Sequence, residues 1–217
     1  PFIQLTRKAC VKLILSQCYV ESTSQGMQRL FIAVELPSDL KQRIKAMATV
    51  LRGKDLGGFR WVRPENIHLT LKFLGETPAE RLSEITAAMT VAVRGIEPFI
   101  LKLGKTGVFP SMRRPRVFWL GLDENLEQLM ELQAKLQTAL KAIGFAEERD
   151  HFVPHLTLAR IPRRLSSMER VSFESQCPWV QDLELPALRV ERISLMESQL
   201  SQQGARYLQK AMVYLDG

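Results

Sequence analysis

Apolar and polar positions alternate along this chain with two different periods. Residues 30–36 are apolar and rich in β-formers, so they read as a strand. Ser38 follows as a candidate helix cap, and Leu40, Ile44, Met47 and Leu51 fall on one helical face. Glycines at 53, 57 and 58 stop that helix. Residues 59–62 and 67–74 are two further strand candidates. Thr77-Pro78-Ala79-Glu80 has the form of a capping box with proline at the first helical position, predicting a helix to about Arg94. Residues 99–108 are extended and 116–122 form another apolar strand. Asn125 opens a long helix carrying Leu126, Leu129, Met130, Leu136, Leu140 and Ile143, closed by Gly144. Residues 155–161, 185–195 and 207–215 are the remaining strands.

The pattern repeats. Arg29-Leu-Phe-Ile is matched by Arg116-Val-Phe-Trp, and His68-Leu-Thr-Leu by His155-Leu-Thr-Leu, each 87 residues later. Gly57 and Gly144 share that offset. Three matches in one register predict a duplicated unit, about 29–74 and 116–161, packed about a pseudo-two-fold axis. Residues 27–217 then form one bilobal α+β domain. Residues 1–26 read as a leader or upstream segment outside that core, because their apolar run is short and broken by Lys12, and Met27 is the expected natural start.

Composition narrows the function. An apolar share of 46% fits a packed domain, and no apolar run is long enough for a membrane span. Three cysteines, Cys10, Cys18 and Cys177, without metal-type pairing predict neither a disulfide framework nor a zinc site, and point to the cytoplasm. A net charge of +7 favours polyanionic partners.

Histidine carries the chemistry because it is scarce: only His68, His151 and His155 are present. Residues at i and i+2 of a strand share a face. His68 with Thr70, and His155 with Thr157, therefore project together, away from their leucines. Two such pairs brought face to face supply two imidazoles and two hydroxyls. One neutral histidine can take a proton from water while the other, as imidazolium, protonates a leaving oxygen. The hydroxyls can donate to non-bridging phosphate oxygens. No metal or cofactor is required. The His151/His155 spacing imitates a helical metal pair, but Pro154 opposes a helix there, and His151 reads as a loop residue near the mouth of the cleft. No nucleophile elbow and no phosphate-binding Gly-rich loop are present.

These residues resemble a known family. Paired His-x-Thr-x motifs in a duplicated α+β chain are similar to the 2H phosphoesterases, and within them to the RNA 2′,3′-cyclic phosphodiesterases, first named 2′-5′ RNA ligases. The resemblance extends to Trp61-Val-Arg-Pro-Glu-Asn-Ile-His-Leu-Thr-Leu-Lys-Phe-Leu-Gly, Pro115-Arg-Val-Phe-Trp-Leu-Gly, Pro154-His-Leu-Thr-Leu-Ala-Arg, and the late Glu197, Ser198, Leu200, Gly204 and Tyr207. It implies a bilobal fold, with two antiparallel-rich sheets facing a central cleft and helices outside. It implies hydrolysis of RNA 2′,3′-cyclic phosphate ends to 2′-phosphates, and in some members ATP-independent joining of tRNA halves. His68, Thr70, His155 and Thr157 occupy the catalytic positions, with His68 as acid and His155 as base. Many members carry an arginine five residues before the second histidine, where this chain has Asp150 and, one position earlier, Arg149.

Arg60, Arg63, Lys72, Arg149, Arg160 and His151 are candidate substrate-binding residues near the motifs. Trp61, Phe73 and Phe152 are candidate base-stacking rings, although the parity of Phe73 favours the core. A monomer without membrane association is expected. Two other readings fit the same pattern: a non-catalytic RNA-end binding module, and a phosphodiesterase for a small non-RNA cyclic phosphate.

Overall fold

The computed structural model describes residues 26–53, 56, 58–124, 126–148, 151–176, 185–202 and 204–217. The expectations for a leader, for Arg149 and for the three cysteines concern residues outside these. In chain order the elements are β1 (Met27–Glu35), α1 (Ser38–Arg52), β2 (Arg60–Trp61), β3 (His68–Pro78), α2 (Leu82–Val93), β4 (Phe99–Phe109), β5 (Val117–Glu124), α3 (Leu126–Ala142), β6 (His155–Arg160), α4 (Ser167–Gln176), β7 (Leu188–Val190), β8 (Arg192–Ser201) and β9 (Gly204–Tyr214).

One path of hydrogen-bonded strands runs β7-β4-β5-β6-β3-β1-β8-β9, with β2 beside β6. Its pairs are antiparallel. The two sheets anticipated around a cleft thus meet edge to edge, through β3 and β6. The halves also exchange strands. β4, which follows α2 of the first half, pairs with β5 of the second, while β8, which follows α4 of the second half, pairs with β1 of the first. One buried apolar cluster runs under both halves, from Leu30 and Leu40 to Leu136, Leu156 and Leu195.

Several predicted boundaries move. Thr77-Pro78 does not cap a helix. β3 continues through Pro78, Thr77 is buried with its Oγ1 donating to the Gly75 carbonyl, and a 3-10 turn at Ala79–Arg81 leads into α2. Ser38 is the first residue of α1 and makes no capping bond. α3 does end at Gly144, at φ +89°, with Phe145 N–H bonding back to the Leu140 carbonyl in a Schellman closure. α4 is an element beyond those expected from the apolar pattern, although Ser166 and Glu169 form the reciprocal capping box that marks its start.

Two bulges decide which side chains reach which face. Ala33 pairs with Thr70 and Ile32 with Lys72, so Leu71 is the extra residue in β3. Trp119 pairs with Thr157 and Phe118 with Ala159, so Leu158 is the extra residue in β6, at the repeat-equivalent position. Each bulge flips the parity beyond it. Phe73 therefore leaves the core for the histidine face, where it is 64% exposed, and Lys72 turns inward. The first strands of the halves are out of step with their sequence match: Val34 opposes Leu69, but Leu120, not Gly121, opposes Leu156. Phe31 thus faces the histidines while Phe118 lies in the core, although they are 87 residues apart.

Candidate active site

β3 and β6 are joined at one register position, Leu69 opposite Leu156. These are repeat equivalents, so the pseudo-two-fold axis passes through the pair. Both leucines are fully buried. Extending the register by one residue each way sets His68 opposite Thr157 and Thr70 opposite His155. Cβ atoms of such neighbours lie about 4.5–5.5 Å apart. All four side chains are half-buried on the face away from the leucines.

Each imidazole is oriented by its own chain. His68 Nδ1 lies 2.8 Å from the Asn66 carbonyl, and His155 Nδ1 lies 2.7 Å from the Val153 carbonyl, two residues back in both cases. A carbonyl only accepts, so Nδ1 carries the proton in each ring and Nε2 is left for chemistry. Asn66 is itself held, its Nδ2 donating to the Ala205 carbonyl of β9 at 2.6 Å. Burial pushes His68 below the ordinary histidine range. The Asn66 carbonyl and Glu35 oppose that shift, while Lys41 and His155 add to it. Glu35, directly across from His68, accepts from Ser194 Oγ at 2.6 Å and from Gln209 Nε2 at 2.9 Å.

Aromatic walls stand beside both histidines. Phe31 and Tyr207 have ring centroids 4.7 and 5.1 Å from His68. Phe109 and Trp119 lie 5.0 and 6.2 Å from His155. The Trp119 indole spreads over Gly107, where an added Cβ would fall 2.2 Å from the ring. A side chain at position 107 would therefore displace this wall. Tyr207 and Trp119 belong to longer sequence matches, and no local pattern marks them, or Phe31, Phe109, Glu35 and Asn66, as site residues. The bulges and the return of β9 bring them in.

The arginine candidates divide. The bulge in β6 turns Arg160 to the same face as His155 and Thr157, opposite Arg60 of β2 and Val117 of β5. Arg63 lines a cavity of about 470 Å³ with Asn66, Ser201, Arg206 and Tyr207, next to His68. His151 is exposed in the loop entering β6. Lys72 is not a phosphate ligand: it is buried on the core side, its Nζ donating to the Ala146 carbonyl at 2.7 Å and facing Glu148. Burial lowers its pKa and Glu148 opposes that. Trp61 and Phe152 pack against the core, Trp61 Nε1 donating to the Leu56 carbonyl. Phe73, which parity had assigned to the core, is the ring left exposed beside Phe31, at 6.2 Å.

Among the described residues, no three His, Cys, Asp or Glu side chains gather in a way that could hold a metal ion, and no helix is long and apolar enough to cross a membrane.

A family model for LigT-like phosphoesterases matches the chain twice, at residues 34–119 and 120–207. An RNA 2′,3′-cyclic phosphodiesterase of Methanothermobacter thermautotrophicus is 36% identical over 181 residues, which cover 82% of this chain and 94% of that protein. Its namesake in Thermotoga maritima is 33% identical, covering 82% and 91%. Among solved structures, LigT of E. coli superposes with a TM-score of 0.66 at 25% identity, covering 88% of this chain and 99% of LigT. TT0787 of Thermus thermophilus gives 0.67 at 28%, covering 87% and 98%.

Proposed function

We propose, for a chain that belongs to the LigT-like phosphoesterase family, that it hydrolyses 2′,3′-cyclic phosphate ends of RNA to 2′-phosphates. The observation that carries this reading is the pair of Nδ1-anchored imidazoles flanking the Leu69–Leu156 seam. Holding both rings in one tautomer leaves two Nε2 atoms over the same face, which suits an acid and a base better than a passive binding module.

In the proposed reaction, His155 Nε2 takes a proton from water as its oxygen attacks phosphorus. The P–O3′ bond breaks, and the His68 imidazolium gives its proton to O3′. The products are a 2′-phosphate and a free 3′-hydroxyl, and proton exchange with solvent resets both rings. Thr70 and Thr157 donate to the non-bridging oxygens, and Arg160 adds positive charge on the same face. Arg60 and Arg63 serve phosphates further along the RNA. Burial disfavours the His68 imidazolium in the empty site, and the arriving phosphate anion restores it. A 5′-hydroxyl of a second RNA in place of water, attacking phosphorus by the same steps, gives 2′-5′ joining without ATP, and the reverse reaction cleaves that bond. We assign the protein to the cytoplasm and to action as a monomer, without cofactor.

The test is turnover of a panel of 2′,3′-cyclic nucleotides and cyclic-phosphate-ended oligonucleotides, with the product phosphate assigned. A 3′-phosphate product, or no turnover of any member, sinks the reading. Turnover of mononucleotides alone favours a small non-RNA cyclic phosphate as substrate. Excess EDTA is expected to leave the rate unchanged, since acid, base and donors are all side chains. A rate abolished by EDTA and restored by zinc or manganese rejects the two-histidine mechanism.

The roles are assigned by a substrate with a 3′-thio leaving group, which departs without protonation. It is expected to rescue His68→Ala and not His155→Ala. The opposite rescue exchanges acid and base.

A further inference from the structure

A cluster of arginines lies outside the site just described. The turn between β4 and β5 supplies Arg113, Arg114 and Arg116, the segment after β6 supplies Arg163, and α4 supplies Arg170. With Pro115, Pro162 and Leu165 they line a cavity of about 60 Å³, too small for a base and suited to a single tetrahedral anion. The fold builds this convergence. Ile161 N–H donates to the Arg116 carbonyl at 2.8 Å, and Arg116 Nη1 donates to the Pro162 carbonyl at 3.2 Å, clamping the two segments side by side. Arg113, Arg114 and Arg163 are exposed. The acids nearby, on α4, are already engaged: Glu174 faces Arg170 at 3.8 Å, and Glu169 accepts from Ser166. Arg113, Arg114, Arg116 and Arg163 bring like charges to one cavity, and a bound anion would offset their mutual repulsion.

The cluster lies beyond the C-terminal end of β6, the strand that carries His155 and Thr157. β6 leads from His155 to Arg160, roughly 15 Å at a strand's rise per residue, and Arg160 projects to the histidine face. The arginine cavity begins just beyond. We propose that this cluster is a second phosphate site, which holds the RNA backbone several nucleotides upstream of the cyclic end. The inference rests on the RNA reading above and adds a length dependence to it. Arg116 is part of the clamp, so the informative variant is R113Q/R114Q/R163Q, which removes three charges at exposed positions.

The experiment measures kcat/KM for a cyclic mononucleotide, a dinucleotide and a ten-residue oligonucleotide, each with a 2′,3′-cyclic phosphate. The variant is expected to match the wild type on the first two and to raise KM for the third about tenfold or more, the scale of lost charged hydrogen bonds. Its salt dependence on the long substrate should flatten by roughly 0.7 in log–log slope for each phosphate that the variant no longer neutralises. Anisotropy of the same oligonucleotide ending in a 2′-phosphate reads the site without turnover. Failure of the wild type on all substrates therefore defeats the enzymatic reading while leaving this one decidable. Unchanged affinity for the long RNA, or equal losses on all three lengths, overturns the proposal. So does a variant that keeps the RNA but loses a poly-glutamate peptide, which would assign the cluster to an acidic protein.

Discussion

Replacing either His68 or His155 by alanine is expected to slow turnover of a cyclic-phosphate substrate by about 10²–10⁴-fold, the usual worth of a general acid or base. The double variant is expected to be little slower than the singles, because groups that act in one transition state are not additive. Thr70→Ala or Thr157→Ala removes one neutral donor among several and costs less. The rate should be bell-shaped in pH, since one ring must be neutral and the other charged. Burial holds His68 of the free protein below the ordinary histidine range. As the proposed acid it works only while protonated, so kcat/KM is lost as pH rises through that lowered value. A bound phosphate anion favours the imidazolium, so the same limb in kcat should lie at higher pH. Near-wild-type turnover in both single variants removes the catalytic reading of the repeat.

The second large effect is at the seam. Leu69→Ala is expected to destabilise the protein by about 2–5 kcal/mol, as for other fully buried leucines. For a chain of this size that lowers Tm by roughly 5–15 °C. Leu69 and Leu156 sit directly opposite one another, so the two alanine variants should be coupled, with a double-mutant effect clearly different from the sum. Thermal or urea unfolding of the four proteins in the cycle reads this directly. Turnover should fall as well, because each leucine stands between the histidine and threonine it positions. A loss below about 1 kcal/mol, or strict additivity, would mean that the lobes are held by the common core and not by this pair.

The two motifs, the duplication and the projection of each histidine with its threonine are legible in the sequence because they depend on local spacing: period two along a strand, and one offset between tetrapeptides. What depends on the partner strand is not. Nothing local says that Leu71 is bulged, so strict alternation places Phe73 inside and Lys72 beside the phosphate, and the structure reverses both. Tyr207 and Ala205 reach His68 and Asn66 from 139 residues away, by way of the β8–β9 hairpin. The first-strand match, Arg29-Leu-Phe-Ile with Arg116-Val-Phe-Trp, is similarity of letters in a register one residue off. Tertiary pairing, and not propensity, sets which face each side chain occupies.

The exchange of strands between the halves fixes an order of assembly. β4, β5, β6 and β7 neighbour one another within residues 99–190, so that lobe can close its sheet from contiguous chain. β1, at the start of the described core, pairs on one side with β8, whose first residue is Arg192. A chain growing from a ribosome therefore carries β1 and β3 with an unsatisfied edge until β8 has been made. Open edges of this kind invite pairing with other chains. The lobe begun first is the lobe finished last, and the period between the two is when it most needs shelter from its neighbours.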